Sequence, residues 1–124
     1  MERSNQLQLI HRLADASGRF RREAYIFVLD ALHFTQEKLK AGGHVGHISG
    51  RQLCEGIREY AESEFGFLSR TVFDAWGVGS TEDFGDIVFQ LADAELLAKQ
   101  DSDSKSDFTG VFAFDDVFEK HLIS

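Results

Sequence analysis

The sequence predicts a single domain, residues 1–124, that is mostly α-helical with a small β element near its C-terminus. The chain of 124 residues has the length of one ordinary domain, and 43% of its residues are hydrophobic, as in a globular protein. Apolar residues recur at intervals of three and four through most of the chain, as they do in amphipathic helices. The stretch FTGVFAF, at 108–114, instead alternates as a β-strand does.

Two helices are predicted before residue 44. The first ends at Gly18, because a glycine commonly follows the last turn of a helix. Its apolar face consists of Leu7, Ile10 and Leu13. The second begins near Arg22 and ends at the glycine pair 42–43. Its buried stripe is expected to consist of Tyr25, Val28, Leu32 and Leu39.

A third helix completes the N-terminal half of the chain, residues 1–62. It begins at Ser49, and Gln52 follows three residues later, which is the spacing of a capping box. Gly66 interrupts the apolar pattern that follows. Gly56 lies in the helix interior, where a glycine costs about 1 kcal/mol relative to alanine. The preceding residues 47–49 are predicted to form a short extended strand.

The C-terminal half, residues 63–124, begins with a predicted helix-turn-helix unit. The first helix of the unit ends at Gly77 and carries the apolar residues Leu68, Val72, Ala75 and Trp76. The turn GVGS then leads into a second helix, whose N-cap is Ser80 or Thr81. Glu82 and Asp83 occupy its first turn, where the helix dipole favours negative charge. Its apolar face consists of Phe84, Ile87, Val88 and Leu91.

Two short strands are predicted next, LLAKQ at 96–100 and FTGVFAF at 108–114, on either side of the polar turn 101–107. The alternation places three phenylalanines on one face of the second strand, namely Phe108, Phe112 and Phe114. Asp115 then caps a short final helix that contains Val117, Phe118 and Leu122. This order is that of a winged helix-turn-helix, with 47–49 as a third strand. The alternative is a plain orthogonal α-helical bundle.

Four runs of the chain resemble an uncharacterised family of small bacterial proteins from planctomycetes and verrucomicrobia. The runs are EAYIFVLDAL (23–32), HISGRQLCEGIREYA (47–61), FGFLSRTVFDAWGVGSTEDFGDIVFQL (65–91) and DSKSDFTGVFAFDDVF (103–118). The stretch WGVGSTEDFGDIVF is the most distinctive of them. The resemblance implies a bacterial, cytoplasmic protein, and it implies no activity and no catalytic residues.

The charge is distributed unevenly along the chain. The formal net charge is −8. Residues 1–62 hold nine basic and eight acidic side chains, giving +1, whereas residues 63–124 hold four and thirteen, giving −9. No basic residue lies between Arg70 and Lys99, which span the predicted helix-turn-helix. Because affinity for duplex DNA comes largely from Lys and Arg at phosphates, this distribution disfavours nucleic acid as the partner of that unit.

Composition also indicates the compartment. One cysteine cannot form an internal disulfide, which fits a reducing environment. The N-terminus has no apolar signal region, and no apolar run approaches the roughly 20 residues of a membrane span. We therefore expect a cytoplasmic protein without a membrane segment.

Candidate catalytic and metal-binding patterns are weak. His33, His44, His47 and Cys54 are residue types that bind zinc, but their spacing matches no standard zinc site. A Cys–His nucleophile pair would need a histidine beside Cys54, and the helix start at Ser49 separates it from the loop histidines. The sequence therefore predicts no catalytic residues, no metal ligands and no cofactor.

The hypothesis that remains is a non-enzymatic protein-interaction module with an acidic and aromatic C-terminal surface. A basic protein partner or a second copy of the chain is expected to bind it. The candidate contact residues are Trp76, Glu82, Asp83, Asp86 and Phe89. One alternative is a transcription regulator that binds nucleic acid through its Arg-rich N-terminal half, which contains Arg3, Arg12, Arg19, Arg21 and Arg22. The other alternative is a small metalloprotein.

Overall fold

A computed structural model describes residues 3–98 and 105–118, together with the side chains from residue 5 onward. Of the described residues, 75% are helical and none is in a strand. The helices are α1 Arg3–Ser17, α2 Arg22–Ala41, α3 Gly50–Phe65, α4 Ser69–Trp76, α5 Thr81–Asp93 and the single turn α6 Phe114–Val117. Two 3₁₀ turns, Gly66–Leu68 and Lys105–Phe108, complete the regular structure. The mostly helical part of the predicted fold class is confirmed.

The predicted β element is wrong, and with it the winged-helix assignment. Residues 47–49 lead irregularly into α3, and 96–98 follow α5 without forming a strand, while 99–104 lie outside the described residues. In the segment 108–114, Phe108 closes a 3₁₀ turn and Phe114 opens α6. Gly110 between them has φ +58°, which an extended strand does not contain. Of the three alternating phenylalanines, Phe108 and Phe114 are buried among the helices and Phe112 is partly buried, so the alternation arises without a sheet.

The helix ends mostly follow the sequence signals. Ser49 and Gln52 form the capping box, with each side chain bonded to the other's backbone N–H at 3.1 and 2.8 Å. Ser80 is the N-cap of α5, and its hydroxyl accepts from the Asp83 N–H. Gly77 ends α4 in the left-handed conformation, at φ +84°. The last helix differs from prediction, because it begins at Phe114 and Asp115 lies in its first turn; Leu122 is outside the described residues.

A cluster of aromatic rings centred on Phe73 forms the middle of the core. Phe73 is fully buried on α4. Its ring centroid lies 5.5 Å from that of Phe27 on α2 and 5.4 Å from that of Phe84 on α5. The rings of Phe114 and Phe118 lie 5.6 and 5.3 Å away, and they belong to the C-terminal segment. One side chain therefore connects α2, α4, α5 and the end of the described chain.

Residues 105–118, which contain the second predicted strand and the start of the predicted final helix, pack across the helices. Phe108 is buried between two glycines, Gly50 at the start of α3 and Gly85 in α5. A Cβ at either glycine would lie 2.9 Å from a carbon of the Phe108 side chain. The ring fits between the two helices because both positions lack a side chain. The Thr81 hydroxyl donates to the Phe108 carbonyl at 2.6 Å and accepts from the Val111 N–H at 3.3 Å. Apolar insertion and backbone hydrogen bonds thus hold this segment on α5.

Gly56, in the interior of α3, is required for close packing of α3 against α2, although glycine has a low helix propensity. Gly56 is buried and faces Thr35 of α2, whose hydroxyl bonds back to the Ala31 carbonyl. A methyl group on Gly56 would overlap the Thr35 side chain. The α2–α3 contact therefore depends on glycine at this position.

We expect Gly56→Ala to destabilise the protein, although alanine is the better helix former. Overpacking against Thr35 should lower the free energy of unfolding by about 1–3 kcal/mol, measured by urea denaturation. Adding Thr35→Ala removes the overlapping hydroxyl and methyl and should recover part of the loss. Gly42→Ala is the matched control, because a Cβ there meets only ordinary contacts of 3.5 Å or more. A Gly56→Ala protein as stable as the wild type would contradict this account of the contact.

Candidate functional site

The second helix of the predicted helix-turn-helix unit lies inside the fold. Along α5, the only exposed residues are Glu82 and Asp93, and both are acidic. Five residues of the helix are buried, and it packs against α2, α3 and the 105–108 turn. A recognition helix has to project its side chains into a groove of DNA. In this fold α5 has the position of a central packing helix.

The carboxylates at the start of α5 are already bound within the chain. Arg19, in the α1–α2 connection, donates to Asp83 at 2.9 Å and to Asp86 at 2.7 Å. Lys105 lies 3.4 Å from Asp86 on the other side. Asp83 also accepts the Gly79 N–H at 2.8 Å. These two predicted contact residues therefore join the α1–α2 connection, the GVGS turn and the 105–108 turn to α5.

The cations around Asp86 change the pKa of its carboxyl group. The hydrogen bond from Arg19 holds the pKa of Asp86 below its ordinary value, and Lys105 acts in the same direction. Partial burial of the carboxylate opposes this shift. Asp86 is therefore ionised across the whole neutral range, with its charge directed at two cations of the same chain.

The other three predicted contact residues, Glu82, Phe89 and Trp76, lie in three different environments. Glu82 is exposed and accepts the Gly110 N–H at 3.2 Å, which anchors the turn after Phe108. Phe89 is partly buried and packs against the core. Trp76 is also partly buried, and its ring lies 5.6–6.0 Å from those of Phe27, Phe65 and Phe73. The five residues do not form one exposed patch.

The candidate zinc ligands Cys54, His33, His44 and His47 lie in different environments. Cys54 is completely buried on α3, and burial raises the pKa of its thiol to about 12. His33 is exposed on α2, while His44 and His47 lie in the 42–49 loop, where the His44 ring bonds to the His47 carbonyl. Within 3–98 and 105–118, no three His, Cys, Asp or Glu side chains are grouped so as to hold a metal ion. Over the same ranges, every buried side-chain nitrogen and oxygen has a hydrogen-bond partner.

The arginine-rich corner is less basic than its sequence suggests. Arg21 and Arg22 are exposed beside a groove of about 270 Å³ between α1 and α2. Asp15 and Glu23 line the same groove, and Arg19 is engaged with α5. The side chain of Arg3 is outside the described part of the chain.

Exposed apolar residues occur on α4 and on the 3₁₀ turn before it, and the sequence analysis did not single out this surface as a site. Ser69 and Phe73 are the buried residues of this helix. Leu68 is 43% exposed and Ala75 is exposed, while Val72 is partly buried but does not belong to the core cluster. Phe67, just before Leu68, is 60% exposed. We call Phe67, Leu68, Val72 and Ala75 the α4 ridge.

Along α4 and Leu68, the 3₁₀ residue before it, two sets of apolar residues are spaced so that either could face the core. One consists of Leu68, Val72 and Ala75, and the other of Phe73 and Trp76 with Ser69. The aromatic stripe faces the core because Phe73 fills the centre of the ring cluster, and because the Ser69 hydroxyl reaches the carbonyls of Ala61 and Gly66 at 3.1 and 2.8 Å. The aliphatic stripe is thereby turned outward. The only signal in the sequence was that both stripes were present on one short helix.

Several exposed carboxylates belong to the same stretch of the chain as the α4 ridge. Glu62, Glu64 and Asp74 are exposed in the stretch 62–76, and Glu62 lines a groove with Phe67. The one basic residue of this stretch, Arg70, is only 17% exposed. Its guanidinium is bound by Asp74 at 3.3 Å and Asp115 at 2.5 Å. Two of the carboxylates near α4, those of Asp74 and Asp115, are therefore paired with a cation of the same chain.

The chain has no match among protein-family models, curated proteins or solved structures. The resemblance to a family of small bacterial proteins therefore stays a prediction. In the described ranges, no helix is both long enough and apolar enough to cross a bilayer.

We expect Asp86→Asn to lower stability at neutral pH by about 0.5–1 kcal/mol, the range of a partly exposed ion pair. Because the pKa of Asp86 is lowered in the folded protein, this contribution is present above the ordinary carboxyl pKa and disappears as pH falls through the folded-state pKa. The difference between the wild type and the variant should therefore shrink below about pH 4. Urea unfolding at a series of pH values measures it.

Glu59→Gln is the control for this experiment. It removes a pair with Lys38 in which both side chains are about half exposed, and we expect almost no change in stability. A difference between the wild type and Asp86→Asn that grew on acidification would contradict the assignment.

Cys54 should be unreactive in the folded protein. Because the thiol is buried and its pKa is about 12, iodoacetamide at neutral pH should label it only after unfolding in guanidinium chloride. Intact-mass spectrometry measures the modification. Stoichiometric labelling of the folded protein would show that Cys54 is accessible as a thiolate.

Proposed function

We propose that the protein is a non-enzymatic protein-interaction module and that the α4 ridge is its contact surface. The observation that carries the proposal is the orientation of α4. The buried ring of Phe73 anchors this helix on one side. On the other side Ala75 is exposed, Val72 is partly exposed, and Leu68 is exposed at the end of the 3₁₀ turn that leads into the helix. Residues spaced i, i+4 and i+7 share one helix face, so they form a continuous apolar row.

The physical properties of the ridge suit protein recognition. Exposed apolar groups that are contiguous and rimmed by charge are a common feature of protein contact surfaces. The core packing of Phe73 holds the helix rigidly, so little conformational entropy would be lost on binding. A row of this length covers roughly 10 Å along the axis, at 1.5 Å per residue. That size favours a small, reversible interface over a permanent one.

The proposed contact surface is not the one that the sequence analysis predicted. It lies on the α4 ridge, whereas four of the five predicted contact residues lie on α5. Trp76 lies one helical turn after Val72 and borders the ridge. Asp83 and Asp86 are paired with Arg19, and Glu82 anchors Gly110, so these carboxylates support the fold. Phe89 packs against the core.

The nucleic-acid alternative is less well supported than the protein-interaction proposal. The two exposed residues of α5 are acidic and would repel phosphates. The arginine corner shares its groove with two carboxylates. The proposed setting is the bacterial cytoplasm, which rests on the single cysteine and on the family resemblance.

Site-specific photo-crosslinking in cells of the source organism tests the proposal. A crosslinking amino acid in place of Thr71, an exposed residue of α4, should give a discrete protein adduct. The double variant Leu68→Ser, Val72→Ser should remove that adduct, because it removes the apolar row. Both substitutions lie outside the core cluster, so the free energy of unfolding should change by less than about 1 kcal/mol.

Val45→Ser is the matched control, since Val45 is an apolar residue that is 92% exposed on the distant 42–49 loop. It should leave the Thr71 adduct intact. The proposal fails if position 71 gives no adduct, or if the adduct persists at full yield in the double variant.

A further inference from the structure

We propose that a groove beside Phe67 binds an arginine side chain of the partner protein. The groove has a volume of about 370 Å³ and is lined by Glu62, Gly66, Phe67, Val117 and Phe118. We call it the Phe67 groove. The inference rests on the proposed function, because Phe67 belongs to the α4 ridge, and it adds the chemistry of one partner residue.

Two side chains of the groove suit a guanidinium group. Phe67 is 60% exposed, so its ring is open to a ligand. Glu62 is exposed in the same groove, and the ion pairs within 3–98 and 105–118 do not involve it. An aromatic face attracts a cation, and a carboxylate forms charge-assisted hydrogen bonds with it. The groove therefore combines the two groups that bind arginine best.

The backbone between these two side chains is open to a ligand. Gly66 ends α3, and its N–H donates to the Glu62 carbonyl. A Cβ at Gly66 would meet no atom within 4 Å, so no neighbouring group covers this part of the groove. The apolar stem of an arginine can lie over Gly66, between the Phe67 ring and Val117.

The end of α3 adds to the negative potential of the groove. Carbonyl groups at the C-terminus of a helix carry partial negative charge, which favours a cation within the last turn. The last turn of α3 contains no basic residue, and it contains Glu62. A guanidinium in the Phe67 groove would therefore be attracted by both the carboxylate and the helix end.

The fold itself binds arginine in this way at two other places. The guanidinium carbon of Arg19 lies 4.5 Å from the centre of the Phe20 ring, and two carboxylates bind the same group. The guanidinium carbon of Arg70 lies 5.9 Å from the centre of the Phe114 ring, again with two carboxylates. Arginine is favoured over lysine in such places because its planar group stacks on a ring while it pairs with a carboxylate.

An NMR titration of the ¹⁵N-labelled full chain tests the inference. The probe is N-acetyl-arginine methylamide, and N-acetyl-citrulline methylamide is the control because it has nearly the same shape without the charge. We expect saturable changes in the backbone amide signals of Gly66 and Phe67 with the arginine probe only. Added salt should weaken this binding, because the carboxylate is exposed and its charge is screened.

Two variants remove the groups that would hold the probe. Glu62→Gln and Phe67→Ser should each raise the Kd about fivefold or more, the effect of losing one exposed ion pair or cation–π contact. Glu64→Gln is the matched control, because it removes the same charge from the same turn of α3 but Glu64 does not line the groove. Its Kd should stay within about twofold of the wild type. Circular dichroism confirms that each variant is folded.

Equal binding of the citrulline probe would overturn the inference, because the positive charge would not be recognised. An unchanged Kd in both Glu62→Gln and Phe67→Ser would also overturn it, because the probe would bind elsewhere.

Two other occupants of the groove would give different results. Amide shifts at Gly66 and Phe67 that depend on protein concentration, without any probe, would identify a second copy of the chain. Residues 119–124 follow Phe118 in the sequence and include Lys120. Binding of the probe by a Lys120→Gln variant alone would assign the groove to the chain's own lysine. Either result would contradict the inference.

The outcome is separable from that of the crosslinking experiment. If crosslinking from position 71 succeeds while the arginine probe does not bind, the interaction function stands and the arginine inference is wrong. If the probe binds while position 71 gives no adduct, the groove binds arginine and the α4 ridge is not the contact surface.

Discussion

The packing of the Phe73 ring is the constraint on which the rest of the structure depends. This ring sits on a short helix and contacts rings from α2, α5 and the C-terminal segment. Because an aromatic side chain buries a large area, its placement decides how α4 is rotated. With Phe73 inward, Leu68 and Ala75 face outward. The stability of the core and the position of the candidate contact surface therefore have the same physical origin.

The acidic character of the C-terminal half has two different roles in the folded protein. At the start of α5, the carboxylates are bound by Arg19 and Lys105, so they tie distant parts of the chain together. Near α4, Glu62 and Glu64 are exposed at the end of α3, while Asp74 and Asp115 are bound by Arg70. A count of charges along the sequence cannot separate these roles, because the pairing of Arg19 with Asp86 joins residues 67 positions apart.

The helix ends could be predicted because their signals are local. The capping box at Ser49, the Ser80 cap and the stop at Gly77 each depend on a few neighbouring residues. The candidate site could not be predicted in the same way. Four of the five predicted contact residues are on α5 and the fifth, Trp76, is the last residue of α4, whereas the exposed apolar residues are on α4 and the turn before it. Which of the two stripes of α4 faces inward depends on rings contributed by residues 27, 84, 114 and 118.

The sequence by itself determined that the chain is mostly helical, where most of the helices begin and end, and how unevenly the charge is distributed. These properties follow from periodicity, capping residues and composition, which act over a few residues or need no structure. The tertiary structure alone decided that FTGVFAF is not a strand, that Gly56 and Gly85 admit close neighbours, and which carboxylates are paired. Those outcomes depend on contacts between residues far apart in the chain. The alternation of phenylalanines and the low helix propensity of glycine are local properties, so they do not indicate which distant residues will be in contact.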